Sequence, residues 1–214
     1  KLESLINYPC PICSSENSLS LNVHTSEIPY FGEHTEMTLI CSDCGWRHTD
    51  FIPSEGQKAT LCSFKIDSLE HMSIRVVRSS SCTVRIVELG LEVEPGDNAT
   101  GYISNIEGVL NRFSDAIGIV MRGAIRDGEE GIEQVKSCKE LLERIDRIKN
   151  GKESAELLLL DPNGHSQILH KSAKSSPIIA ISLPFTLGST SSITSLYASG
   201  YHFRVFSQYR KSGC

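Results

Sequence analysis

Two short segments, PCPICSS at residues 9–15 and CSDCGW at 41–46, each hold two cysteines separated by two residues. The C-x2-C pairs at Cys10/Cys13 and Cys41/Cys44 lie 27 residues apart. Nothing else in the chain constrains its folding as tightly. A C-x2-C turn aims two sulfurs at one point, and two such turns supply the four tetrahedral thiolates that zinc favours. Gly45 follows the second pair, where such turns call for a positive φ that glycine adopts cheaply. All four positions are cysteine, so the expected ion is one structural Zn2+ with no open coordination site. A thioredoxin-like redox pair needs a strand before it and a helix after it; SSENSLS (14–20) is a poor helix start, and redox chemistry calls for no second pair. His24, His34 and His48 lie nearby and are read as surface residues, because the tetrahedron is already full.

The spacer supports a hairpin between the two turns. SLSLNVHT alternates Leu19, Leu21 and Val23 with polar residues, TEMTLI (35–40) returns as a second strand, and Pro29 and Gly32 mark the bend between them. Ile28, Pro29, Tyr30 and Phe31 sit at the tip of that hairpin. With little core to enter, they are the candidate surface for a protein partner, the competing reading being that Tyr30 and Phe31 fold back onto the rest of the chain.

Charge limits what the cysteine-bearing part can bind. Residues 1–60 carry three basic and eight acidic side chains, so they hold the whole formal net charge of −5, and four thiolates on a dication add about −2 more. Nucleic acid is therefore an unfavoured partner, and a protein is the better fit. With 214 residues, 39% of them hydrophobic, the chain can bury a real core. No run of eighteen apolar residues and no signal-peptide pattern occur in it, so no membrane span and a cytoplasmic location are expected.

Beyond the cysteine pairs the pattern is β, then a helix pair, then β. SIRVVR (73–78) and TVRIVELGLEVEPG (83–96) read as strands. Ser104 and Glu107 read as an S-x-x-E capping box opening a helix whose apolar stripe runs through Ile106, Val109, Leu110, Phe113, Ala116, Ile117, Val120 and Met121 until Gly123 breaks it. A second helix is expected over roughly 130–149, with Ile132, Val135, Cys138, Leu141, Leu142, Ile145 and Ile148 on one face. The short connection implies an antiparallel helical hairpin over about 104–150. Leu157–Leu160 read as a buried strand and Asp161-Pro162-Asn163-Gly164 as a type I turn, with His165 and Ser166 opening the next strand rather than joining Asp161 in a catalytic group. Arg75, Arg78 and Arg85 read as either a basic patch or the wet face of a sheet. Residues 175–203 contain no charged side chain and much Ser and Thr, which fits either a disordered tail or, at YHFRVF (201–206), a last strand.

Six pieces in order resemble the ZPR-type zinc-finger proteins of archaea and eukaryotes: CPIC (10–13), IPYFGE (28–33), CSDCGWR (41–47), VVRSSSCTVRIVELGLEVEPG (76–96), GYISNIEGVL (101–110) and DPNGHS (161–166). The resemblance implies a mainly β fold with α: a four-cysteine zinc ribbon over 1–58, then a double-stranded β-helix (jelly-roll-like) domain with a helical hairpin over 59–174, then an atypical tail over 175–214. It implies Cys10, Cys13, Cys41 and Cys44 as the zinc ligands. Eukaryotic members carry the module twice and this chain once, as archaeal forms do. The resemblance further implies a non-enzymatic protein that binds translation elongation factor 1-alpha and assists its folding, the alternative being a nucleic-acid-binding or transcription-associated zinc ribbon. His165 stands where the family usually has Asn.

Overall fold

The structure, a computed structural model, describes residues 2–28, 32–53, 58–96, 99–178, 194–198 and 201–205. Four strands come first: β1 (Leu2–Ile6), β2 (Leu19–Ile28), β3 (Gly32–Cys41) and β4 (Arg47–Pro53). They form one antiparallel sheet in chain order. The hairpin between the cysteine pairs is longer than the alternation in the sequence suggests. β2 and β3 stay in register from Leu19↔Cys41 to Ile28↔Gly32. That register carries the second cysteine pair back beside the first.

The remaining strands are β5 (Thr60–Ile66), β6 (Arg75–Arg78), β7 (Thr83–Ile86), β8 (Leu91–Pro95), β9 (Tyr102–Asn105), β10 (Ala155–Asp161), β11 (Gln167–Ile168), β12 (Lys174–Pro177), β13 (Thr194–Ala198) and β14 (Tyr201–Val205). They make a seven-stranded sheet in the order β12-β5-β10-β7-β8-β14-β13 and a three-stranded sheet in the order β11-β6-β9. Two helices, α1 (Ile106–Arg126) and α2 (Ile132–Lys149), are joined by a 3-10 turn at Gly128–Gly131. Together they give a mainly β jelly roll with a helical hairpin. Strand and helix stripes share one core, in which Ile66, Val76, Ile86, Leu91, Leu157 and Leu159 meet Leu110, Phe113, Ile117, Ile145 and Ile148.

Several local readings are corrected. The stretch 83–96 is not one strand. Val87–Leu89 turn as a 3-10 segment, Gly90 takes φ +61°, and the chain doubles back so that Ile86 pairs with Leu91. The α1 cap is Asn105, whose side chain accepts the Gly108 N–H at 2.8 Å, and not Ser104. Ladder pairing from Arg75↔Asn105 to Arg78↔Tyr102 holds the chain extended through Asn105, so the helix starts one residue later than a Ser104 cap requires. A side chain at Gly108 would meet Ser104 Oγ at 2.2 Å. Gly123 does not break α1, because the apolar stripe continues to buried Ala124. Ala124 in turn sets the turn. A Cβ on Gly131 would lie 1.8 Å from its carbonyl oxygen, so only glycine lets the second helix start this close. Ile132, expected on the buried stripe of α2, is exposed at its first residue.

The three arginines form no patch. Arg78 is buried, donating through Nε and Nη2 to the Cys82 carbonyl at 3.1 and 2.6 Å and through Nη1 to that of Thr100 at 3.1 Å. Arg85 pairs with buried Glu92 across the β7–β8 ladder, and only Arg75 is exposed. Asp161 does open its turn, the Gly164 N–H bonding to its carbonyl at 3.1 Å, but its side chain does more. It is buried and accepts from the hydroxyls of Ser79, Ser81 and Ser166 at 2.7, 2.7 and 2.6 Å and from the N–H groups of Asn163 and His165 at 3.0 and 2.9 Å. Both oxygens are committed to tying the β6–β7 loop to the turn after β10. The next strand begins at Gln167 rather than at His165.

Candidate metal centre

The first turn leads from β1 into β2, and the second joins β3 to β4. They are built alike. Cys10 N–H donates to the Ser15 carbonyl at 3.0 Å, as Cys41 N–H donates to that of Trp46 at 2.8 Å. Ser14 N–H donates to the Cys10 carbonyl at 2.9 Å, as Gly45 N–H donates to that of Cys41 at 3.0 Å. Gly45 has the positive φ that its place in the sequence implies, +72°. Ser14, the equivalent residue of the first turn, holds φ +58° without being glycine. That is a left-handed position on which a side chain costs about 1 kcal/mol or more.

The turns are stitched together by side chains that the cysteine spacing does not announce. Ser15 donates to Asp43 across the site. Ser18 lies 3.3 Å from Cys41 Sγ through its hydroxyl, and its carbonyl accepts the Ser42 N–H at 2.9 Å. Their one signal in the sequence is position, within five residues after a C-x2-C turn or inside one. Beneath the site Cys10, Leu19 and Cys41 form a small buried cluster covered by Ile6 and Trp46, and Trp46 stacks on His48 with ring centroids 5.9 Å apart.

The structure gathers Cys10, Cys13, Cys41 and Cys44, whose sulfurs all lie within 4.8 Å of one another. Cys10 Sγ to Cys44 Sγ and Cys13 Sγ to Cys41 Sγ are both 3.7 Å. Four thiolates about 2.3 Å from a tetrahedral ion lie roughly 3.8 Å apart, so the cage has the dimensions of a zinc–thiolate centre. Among the described residues no other group of three or more metal-ligating side chains comes together, and neither His24 nor His48 joins this one. The electrostatics point the same way. The Ser18 hydroxyl, with the N–H of Cys44, draws Cys41 down to about 6. The Trp46 N–H lowers Cys44, but partial withdrawal from water and the sulfurs of Cys41, Cys13 and Cys10 push it up to about 12. Four thiolates this close repel one another, and a dication at their centre removes that repulsion.

The other candidate surface is placed in part. Ile28 ends β2 opposite Gly32, while Pro29, Tyr30 and Phe31 lie outside the described residues.

Against known proteins, the profile of the ZPR1 jelly-roll domain matches residues 70–181. A ZPR1-like protein of Methanocaldococcus jannaschii is 42% identical over 168 residues, covering 78% of this chain and 82% of the relative. The chain belongs to the ZPR1 family. A ZPR1-like protein of Pyrococcus horikoshii is 37% identical over 175 residues, covering 82% of this chain and 78% of the relative. Similarity extends to a eukaryotic ZPR1 protein, the zinc finger chaperone of Schizosaccharomyces pombe, at 29% identity over 167 residues. That alignment covers 74% of this chain and 34% of the yeast protein. The ZPR1 profile falls on the jelly roll and helical hairpin, and the alignments are too long to be confined to the 112 residues it spans. No described helix is long and apolar enough to cross a membrane.

Proposed function

We propose that this ZPR1-family protein is a non-enzymatic, zinc-stabilised binding protein of the cytoplasm that engages translation elongation factor 1-alpha and assists its folding. One structural Zn2+ is held by Cys10, Cys13, Cys41 and Cys44. The observation that carries the reading is the four-sulfur cage at tetrahedral spacing in a family whose yeast member is named a chaperone. A zinc ion there supplies folding energy rather than chemistry, on the order of 10 kcal/mol in comparable peptides. This chain's residues do the rest. Ser18 steadies Cys41, Gly45 closes the second turn, and the β2–β3 ladder carries the partner-facing end of the finger, with Ile28, Pro29, Tyr30 and Phe31 as the contact. The excess of acidic side chains in residues 1–60 favours a protein partner over nucleic acid.

The test is binding of the zinc-loaded protein to the elongation factor 1-alpha of its own host, with GDP and with GTP. A Cys41→Ser, Cys44→Ser double variant serves as the zinc-less control. Binding that requires intact cysteines supports the reading, and the nucleotide preference identifies the step served. No binding in either nucleotide state overturns the partner and leaves the zinc cage standing.

A further inference from the structure

Of the seven cysteines among the described residues, five are buried and two, Cys13 and Cys44, are exposed. The exposed two are the second cysteine of each C-x2-C turn, so each turn of the cage offers one sulfur to solvent and keeps one covered. Two close sulfur contacts cross between the turns. Cys44 Sγ lies 3.7 Å from buried Cys10 Sγ, and Cys13 Sγ lies 3.7 Å from buried Cys41 Sγ. Closing either contact from 3.7 Å to the roughly 2.05 Å of a disulfide moves two side chains by about 1.7 Å in all. The turns are also held together by contacts that involve no metal: Ser15 to Asp43, the Ser42 N–H to the Ser18 carbonyl at 2.9 Å, and buried Leu19 packed with Cys10 and Cys41. The other three cysteines lack both access and reactivity. Cys62, Cys82 and Cys138 sit in the jelly-roll core, where burial pushes their thiols up, that of Cys82 to about 12. Oxidants attack the thiolate, so a peroxide discriminates between the two sets.

We propose that the cage is a peroxide-sensitive modification site, at which Cys13 and Cys44 are oxidised and two disulfides, Cys10–Cys44 and Cys13–Cys41, replace the metal as the staple between the turns. An exposed thiolate attacks the O–O bond of hydrogen peroxide, takes one oxygen as a sulfenic acid and releases hydroxide. The buried thiolate 3.7 Å away then attacks that sulfur, forms the S–S bond and expels the oxygen as a second hydroxide. With both pairs closed, two molecules of hydrogen peroxide have been reduced, the four thiolates have been oxidised to two disulfides, four hydroxides have formed, and no thiolate is left to hold the Zn2+. Both bonds tie the turn before β2 to the turn after β3, so they constrain the finger where the ion did. A thioredoxin-like couple, by contrast, closes within one turn. The inference rests on the reading above in one respect, that the four sulfurs hold Zn2+ before oxidation.

The test treats the full zinc-loaded chain with hydrogen peroxide, follows released zinc with a chromogenic chelator, blocks the remaining thiols and maps the disulfides. Cleavage after glutamate separates the two turns, because Glu16, Glu27, Glu33 and Glu36 lie between them. A bond across the turns joins the peptide 4–16 to the peptide 37–55, and tandem mass spectrometry assigns each bond. The expected result is loss of one zinc per chain, formation of the two cross-turn disulfides, and thiols of Cys62, Cys82 and Cys138 that still alkylate after denaturation. Dithiothreitol with zinc should reverse the change, and the oxidised finger should resist a protease that cuts the chelator-stripped one. Bonds within a turn, Cys10–Cys13 or Cys41–Cys44, overturn the proposal, as do sulfinic acids in place of disulfides, core cysteines that oxidise ahead of the cage, and an oxidised finger cut as fast as the stripped one. Zinc and thiols that both survive peroxide at concentrations that oxidise free cysteine overturn it too. Untreated protein that carries no zinc refutes the metal reading instead, and the disulfide map then decides the pairing alone.

Discussion

Replacing Asp161 should be among the most damaging single changes in the jelly roll. Its carboxylate accepts five hydrogen bonds, and two of the donors, Ser79 and Ser166, are themselves buried. Asp161→Ala strands those hydroxyls and the N–H groups of Asn163 and His165. Each buried orphan costs about 1–3 kcal/mol, partly offset because no carboxylate need then be withdrawn from water. The net loss should be about 3–5 kcal/mol, or roughly 8–15 °C in thermal midpoint for a chain of this size. Asp161→Asn keeps the shape and one acceptor oxygen and should lose about 2 kcal/mol. The pH dependence is a second reading of the same contacts. Burial alone would raise the Asp161 carboxyl, but the hydroxyls of Ser166, Ser81 and Ser79 and the N–H of Asn163 outweigh it and hold it below the ordinary carboxylate range. A carboxyl that is more acidic folded than unfolded stabilises fully above its unfolded value, about 3.9, and loses that stabilisation as pH falls through its folded value. Thermal unfolding followed by circular dichroism should therefore show, for wild type, an acid-side loss that the Asn variant lacks. An Ala variant within about 1 kcal/mol of wild type, or identical acid limbs for wild type and Asn, would refute the account.

Other contacts make equally definite demands. Stripping the metal with a strong chelator at neutral pH should unfold β1–β4 and leave the helical far-UV signal in place, and metal analysis of the untreated protein should return one zinc per chain; loss of the helices would show that the jelly roll depends on the cage. Gly131→Ala sets a methyl 1.8 Å from the Ala124 carbonyl oxygen and should cost about 2–4 kcal/mol in denaturant unfolding. Arg85→Ala leaves Glu92, 4% exposed in its side chain, without its partner and should cost about 3–5 kcal/mol, whereas Arg85→Met with Glu92→Leu should recover most of it.

What could be read in advance follows from the range of the interactions. The cysteine turns, the apolar stripes of α1 and α2, and the turn at Asp161 are local patterns, and local patterns are written in consecutive residues. Gly45 is the sharpest case, because its φ follows from its place one residue after Cys44. Two of the misreadings share one cause, which is a distant strand or helix overriding a local signal. Asn105 caps α1 because Arg75, thirty residues earlier, holds it in a ladder. Gly123 stays helical because Ala124 is buried beneath the approach of Gly131.

The same reasoning explains why the junction between finger and jelly roll was illegible, although short runs of sequence carry it. Asp50 on β4 accepts from the Ser80 backbone N–H at 3.0 Å and from the Ser80 hydroxyl at 2.5 Å. Gly101 donates to the Thr49 carbonyl at 2.7 Å, where a Cβ would fall 2.9 Å from Phe51 and 3.1 Å from the Arg78 carbonyl. Read alone, Ser79-Ser80-Ser81 is a polar loop. In the fold its two outer serines serve Asp161 and its middle one serves Asp50. Alternation along the loop thus points one carboxylate's donors inward and the other's toward the finger. A loop that must satisfy acids on two sides needs small hydroxyl side chains at all three places, which is why the run looks featureless until both acids are in view.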